Sequence, residues 1–196
     1  MMYKDKEETL SQVPLAIRGI QENEGDILAR FASRVNDLCP LYQASTLQRD
    51  LLLEEVKTLA QRFDGSTEEG SASGYDRRIL YEEPDHWSLA AIILRPGQQI
   101  QPHDHGGWGC AATVQGVERN RWFLRDGSGN LVLTGERDYP PGTGYVFDAA
   151  DVHQPVGADP RRVTVALHFL VHESHAKEPQ AMSVGPESIW RFPWKK

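Results

Sequence analysis

Only two cysteines, Cys39 and Cys110, occur in 196 residues. A disulfide framework is therefore excluded, the fold must rest on a hydrophobic core, and both thiols read as free. No apolar run approaches the ~18 residues that a membrane-spanning helix requires, so a membrane partner is not expected. The opening MMYKDKEETL has no apolar stretch of the kind that directs secretion, and the expected compartment is the cytoplasm. Clustered positive charge is missing as well. The 21 Lys and Arg residues are outnumbered by 28 Asp and Glu, for a net charge of -7. Without a concentrated cationic face, no nucleic-acid partner is expected. Internal repeats and low-complexity tracts are also absent.

What the chain does contain is an ordinary globular mixture, with 39% hydrophobic and 25% charged residues. That balance favours one folded domain, or one with a helical appendage, over disorder. Ile27, Leu28, Phe31, Val35 and Leu38 recur at helical spacing, and Pro40 follows where a helix stops. A second helix is expected over Thr46 to Phe63, with Leu47, Leu51, Leu52, Val56, Leu59, Ala60 and Phe63 on one side. The Gly- and Ser-rich stretch that follows, Asp64 to Gly74 with the loop proper over 66–74, reads as a linker or mobile loop.

Beyond Tyr75 the texture changes to short runs of strand character. Candidates are Ile79 to Tyr81, Trp87 to Leu94, Gly109 to Val117, Arg121 to Leu124, Leu131 to Thr134, Gly144 to Phe147 and Val163 to Val171. Turn clusters such as Pro96-Gly97, Asp126-Gly127 and Pro141-Gly142 separate them. This spacing favours an all-β sandwich or barrel. The expected organisation is a helical segment over residues 1–65 packed on a barrel over 75–175. An irregular tail over 176–196 follows, with Trp190, Phe192 and Trp194 folded back on the barrel.

Two of the seven histidines stand one residue apart in Pro102-His103-Asp104-His105. On a strand, residues i and i+2 project to the same face, so both imidazoles can converge on one point while Asp104 points away. His153 follows Pro141-Gly142 and the apolar strand ending at Phe147. If the two segments are neighbours, its ring completes one face of a coordination sphere. Three neutral nitrogen donors suit iron, zinc, copper or nickel. His168, on the apolar run Val163 to Val171, is either a core histidine or a group beside the metal, whereas His86, His172 and His175 read as surface residues.

Gly97, five residues, His103, one residue, His105 and then Gly116 make one half of a pattern; Pro141-Gly142, ten residues and His153 make the other. These halves resemble the two cupin motifs, which that superfamily places on adjacent strands of a double-stranded β-helix. The usual first half carries a Glu ligand four or five positions after the second His. Here those positions are Gly109 and Cys110, and the first carboxylate downstream, Glu118, lies beyond Gly116. A three-histidine site without the carboxylate is similar to the cysteine dioxygenase family, some of whose members have a Cys at the replaced position. The resemblance spans about Tyr75 to Leu170. The run His103-Asp104-His105-Gly106-Gly107-Trp108-Gly109 also resembles bacterial relatives that oxidise 3-mercaptopropionate.

The resemblance implies a mostly β cupin barrel with N-terminal helices and an Fe(II) ion on His103, His105 and His153. Its reaction is the conversion of a small thiol, cysteine or 3-mercaptopropionate-like, with O2 to the sulfinic acid. Arg77, in Tyr75-Asp76-Arg77, would grip the substrate carboxylate, with adjacent Arg78 as the alternative. A planar guanidinium suits that role because its fork matches a carboxylate. Cys110 and His168 would line the site, and Trp108 would be a pocket wall. The family's late Ser-x-His-x-Tyr series corresponds to Ala166-Leu167-His168-Phe169-Leu170, where only the His persists. No thioether crosslink from Cys110 to position 170 is therefore expected, and a phenol would have to come from Tyr145 or Tyr81. Two other readings stand beside this one: a cupin metalloenzyme acting on a non-thiol substrate, and a non-catalytic cupin that binds a metal or small ligand.

Overall fold

A computed structural model describes residues 24–39, 44–65, 68–72 and 74–172. Pro40, His175 and the aromatic tail residues Trp190, Phe192 and Trp194 lie outside the described residues. Helix α1 (Glu24–Leu38) buries Phe31, Ala32 and Val35, with Ile27, Leu28 and Leu38 partly buried beside them. Helix α2 (Thr46–Ala60) starts at Ser45, whose hydroxyl accepts from the Gln48 N–H at 3.4 Å while its own N–H donates to the Gln48 side chain at 2.8 Å. This reciprocal capping box satisfies two donors that a helix start otherwise leaves open. Leu52, Val56, Leu59 and Ala60 face the core, but Leu47 and Leu51, expected with them, are exposed. The apolar positions of α2 span more of its circumference than one docking face covers.

Eight strands follow among the described residues: β1 (Asp76–Glu83), β2 (Trp87–Leu94), β3 (Gly109–Gln115), β4 (Glu118–Arg125), β5 (Leu131–Tyr139), β6 (Gly144–Phe147), β7 (Val152–Gly157) and β8 (Thr164–Val171). All pairings are antiparallel, in one sheet of order β1-β2-β8-β3-β6 and another of order β5-β4-β7. The two sheets make a double-stranded β-helix, and the helices dock on the outer face of the larger one. Successive strand residues point to opposite faces. On β8, Leu167, Phe169 and Val171 accordingly join Phe31, Val35, Leu52 and Val56 under the helices, while His168 and Leu170 border a cavity inside the barrel. Each fully buried Leu or Val in this seam contributes about 1.5–3 kcal/mol, which fixes the helices to the barrel. Gly116 closes β3 at φ 70, and a Cβ there would stand 2.8 Å from Thr164 Cα, so the turn into β4 needs glycine for both its conformation and its room.

Three expectations change. β7, which carries His153, has no counterpart among the expected strands, because Pro155 and Gly157 within it read as breakers. It lies at an edge of its sheet, paired with β4, where a proline is tolerated. β5 runs five residues beyond Thr134, to Tyr139; its added part is a solvent-facing ladder in which Arg119 meets Asp138 at 2.6 Å and Arg121 meets Glu136 at 3.2 Å. Charged pairs across an exposed ladder carry no hydrophobic signature. The Gly/Ser-rich stretch is tied down where it is described: Arg95 Nε donates to the Glu69 and Gly70 carbonyls at 3.1 and 3.0 Å, and the Gln98 amide donates to Ser71 O at 2.8 Å. No helix among the described residues is long and apolar enough to cross a membrane.

Candidate metal centre

His103 and His153 sit opposite each other as an isolated antiparallel bridge, with the His103 N–H donating to His153 O at 3.0 Å and the His153 N–H donating back at 2.9 Å. His105 lies just past the bridge, off any regular strand and immediately before a bend at Gly106-Gly107. The ligand atoms of the three imidazoles all lie within 4.8 Å of one another. His105 Nε2 is 2.8 Å from His153 Nε2, and His103 Nδ1–H donates to the Gln101 carbonyl at 2.8 Å, which leaves its Nε2 lone pair directed to the cluster. His153 Nδ1 is buried with no hydrogen-bond partner.

Burial, reinforced by the neighbouring His168 and opposed by the Gln101 bond, lowers His103 to about 4. Burial and then the other imidazoles push His105 and His153 well below the ordinary histidine range. All three are neutral at pH 7, the form that donates to a metal. Three convergent neutral nitrogens fit a metal ion of the first transition row or zinc. Aromatic rings wall the cluster: Phe147 stacks on His105 with centroids 4.7 Å apart, and Trp122 stacks on His153 at 5.5 Å. Phe147, together with the Phe169 backbone, leaves no room for a side chain at Gly109. A Cβ at Gly109, four residues after His105, would stand 2.5 Å from the Phe147 ring and 2.3 Å from the Phe169 carbonyl oxygen.

The cluster opens on a cavity of about 70 Å³. His103, His105 and His168 line one part; Tyr75, Arg77 and Ser88 supply the other polar groups, and Ile92, Ile100 and Leu170 are among its apolar lining. Arg77 is thus brought to the same cavity as the histidines, while Arg78 turns away to pair with Glu68 at 2.7 Å. Burial lowers the Arg77 pKa, and Tyr75 and Glu82 partly restore it.

Cys110 and Trp108 are not brought there. The β3–β8 register aligns Cys110 with Phe169 and Ala111 with His168, so the pleat turns Cys110 toward the helices. Its thiol is fully buried there and its pKa is pushed up by that burial. Trp108 belongs to the same helix-side core, beneath the Arg49 guanidinium at 4.9 Å, and does not line this cavity. Tyr81 stacks on Trp87 with centroids 4.8 Å apart, also on that side. Tyr145 instead enters the barrel interior, where its hydroxyl donates to Glu118 Oε1 at 2.6 Å. Glu118, only 1% exposed, reaches His168 Nε2 at 3.2 Å with its other oxygen. Its sequence signal is a carboxylate at the head of the alternating series Glu118, Asn120 and Trp122 on β4.

No family model matches the sequence, and no curated protein matches it. Among solved structures the chain is similar to a cupin superfamily protein from Desulfitobacterium hafniense DCB-2, at 13% identity and TM-score 0.43, over 55% of this chain and 86% of that one. It is also similar to KdgF from Halomonas sp., at 17% identity and TM-score 0.42, over 57% and 91% of the two chains. A double-stranded β-helix protein from Klebsiella pneumoniae is similar at 15% identity and TM-score 0.41, over 56% and 85%. At such identities these likenesses concern the barrel and carry nothing about chemistry.

Proposed function

We propose that the protein is an Fe(II)-dependent thiol dioxygenase that converts a small carboxylate-bearing thiol, with O2, to its sulfinic acid. What supports this reading above all is a cluster of three neutral imidazoles, two of which, His103 and His105, line the same small cavity as the Arg77 guanidinium. Fe(II) held by His103, His105 and His153 would supply the Lewis acidity and redox chemistry that join O2 to sulfur. Arg77 binds the substrate carboxylate through two charge-assisted hydrogen bonds, which aims the other end of a short molecule at the histidines. The apolar lining by Ile92, Ile100 and Leu170 keeps bulk water from the reacting end. Phe147 occupies the room of a fourth protein ligand and so keeps the donor set neutral. Free thiols at Cys39 and Cys110 suit a reducing compartment, the cytoplasm.

Iron analysis combined with oxygen uptake on cysteine, 3-mercaptopropionate and cysteamine tests the assignment. Uptake with a carboxylated thiol is the expected result; no uptake with any thiol at full iron loading overturns it. Arg77→Ala should raise KM for carboxylated thiols by roughly 10–100-fold, the worth of a charged hydrogen-bond pair, and leave cysteamine unaffected. Leu170, in place of the family's tyrosine, favours as second reading a non-thiol carboxylate substrate held by the same Arg77. The uptake assay separates the two.

A further inference from the structure

Glu118 is the one buried carboxylate among the described residues. It is no part of the histidine cluster. A carboxylate taken out of water is stable only with strong hydrogen-bond partners. Those partners are Tyr145, whose hydroxyl donates to Oε1 at 2.6 Å, and His168, whose Nε2 lies 3.2 Å from Oε2. All three side chains are buried, and His168 borders the cavity with His103 and His105. A hydrogen-bonded line therefore runs from the barrel floor to the substrate space: Tyr145, Glu118, His168.

We propose that Glu118 and Tyr145 are positioning residues that hold His168 as the acceptor of the substrate's thiol proton, an inference that rests on the thiol reading above. With Tyr145 donating to Oε1, Oε2 accepts from His168, so the imidazole hydrogen sits on Nε2 and the lone pair is left on Nδ1. When the thiol binds, its S–H bond breaks, the proton passes to Nδ1 and the electron pair stays on sulfur as the thiolate. The imidazolium so formed keeps its Nε2–H bond to Glu118, whose negative charge balances it, and Tyr145 keeps the carboxylate from swinging away. No proton leaves the site. The titratable groups around His168 are Glu118 from β4, Tyr145 from β6, His153 from β7, His103 and His105, and Arg77 and Tyr75 at the β1 side; β2 and β3 present Ala90 and Ala111 beside it.

The full chain loaded with cobalt(II) reports thiolate binding by its sulfur-to-metal absorption band, with 3-mercaptopropionate as the probe. Between about pH 7 and 8 the wild-type association constant should be flat, because the proton is retained on His168. In Glu118→Gln the proton is released, and association should change about tenfold per pH unit at unaltered cobalt content. Mere loss of a negative charge would shift the whole curve and leave it flat. Tyr145→Phe should bind roughly tenfold more weakly, the worth of a hydrogen bond to a charged group. Nitrogen-15 NMR of zinc-loaded wild type should find His168 as the Nε2–H tautomer. The Nδ1–H tautomer, or equal pH slopes in wild type and Glu118→Gln, overturns the proposal. Absence of the band in wild type with any thiol overturns the thiol reading itself, and this step with it.

Discussion

Replacing Gly109 by alanine tests why three histidines stand here without an acidic ligand. The new Cβ would lie 2.3 Å from the Phe169 carbonyl oxygen and 2.5 and 2.8 Å from two atoms of the Phe147 ring. The first of these neighbours is backbone in the β3–β8 ladder and cannot rotate aside, so the strands must part or the ring must move. Overpacking a dense core costs about 1–3 kcal/mol, and a backbone neighbour puts Gly109→Ala at the upper end, about 3 kcal/mol. With roughly 2–4 °C of Tm for each kcal/mol in a domain of this size, the fall should be about 6–12 °C. Phe147 stacks on His105 at 4.7 Å and lies 5.2 Å from His153, so displacing it disturbs two of the three ligands. Metal affinity should fall about 10–100-fold, as when other ligand supports are lost. Calorimetry of the metal-free protein and a competitive metal titration read the two effects. Gly109→Glu, which restores the usual carboxylate, should bind metal no better than wild type. A Tm within about 2 °C of wild type together with unchanged affinity would refute the packing explanation.

His153→Ala should abolish stoichiometric metal binding; retention at wild-type occupancy would move the third ligand elsewhere. Cys39, whose thiol burial raises to about 11, and Cys110, raised further, should be inert to thiol reagents in the native protein and react fully after unfolding. Cys110→Ala should leave substrate affinity unchanged, because the thiol faces the helices; altered KM in a stably folded variant would place it at the cavity after all. Acid should destabilise the metal-free protein through His103: its imidazole titrates at about 4 when folded and near 6.5 when unfolded, so below 6.5 the unfolded chain binds more protons. That stability is complete above about pH 6.5 and is lost progressively toward pH 4, which thermal melts across this range would follow. His103→Gln should lessen the loss, and an equal loss in the variant would contradict a neutral buried imidazole.

Local features were the legible ones. His103 and His105 stand together because a single residue, Asp104, separates them after a turn, and β2 and β8 read as continuous apolar runs because all eight positions of each are buried. β7 was hidden by Pro155 and Gly157, and the outer half of β5 by charges that face water. The pairing of His153 with the first two histidines was accessible through its spacing from Pro141-Gly142 and the cupin resemblance, since 48 residues part it from His105.

The sequence alone carries the donor set of the candidate metal site: three histidines in two segments, with a glycine four residues after His105. Tertiary structure assigns the faces. Cys110 and Trp108 follow His105 through a bend, where strand parity does not carry over, so only the register against Phe169 sends the thiol to the helix side. The link of Glu118 to His168, 50 residues away, likewise depends on closure of one sheet over the other. Side-chain type is a local property of the chain, whereas which face a residue presents, and to whom, is set by pairings between strands distant in sequence.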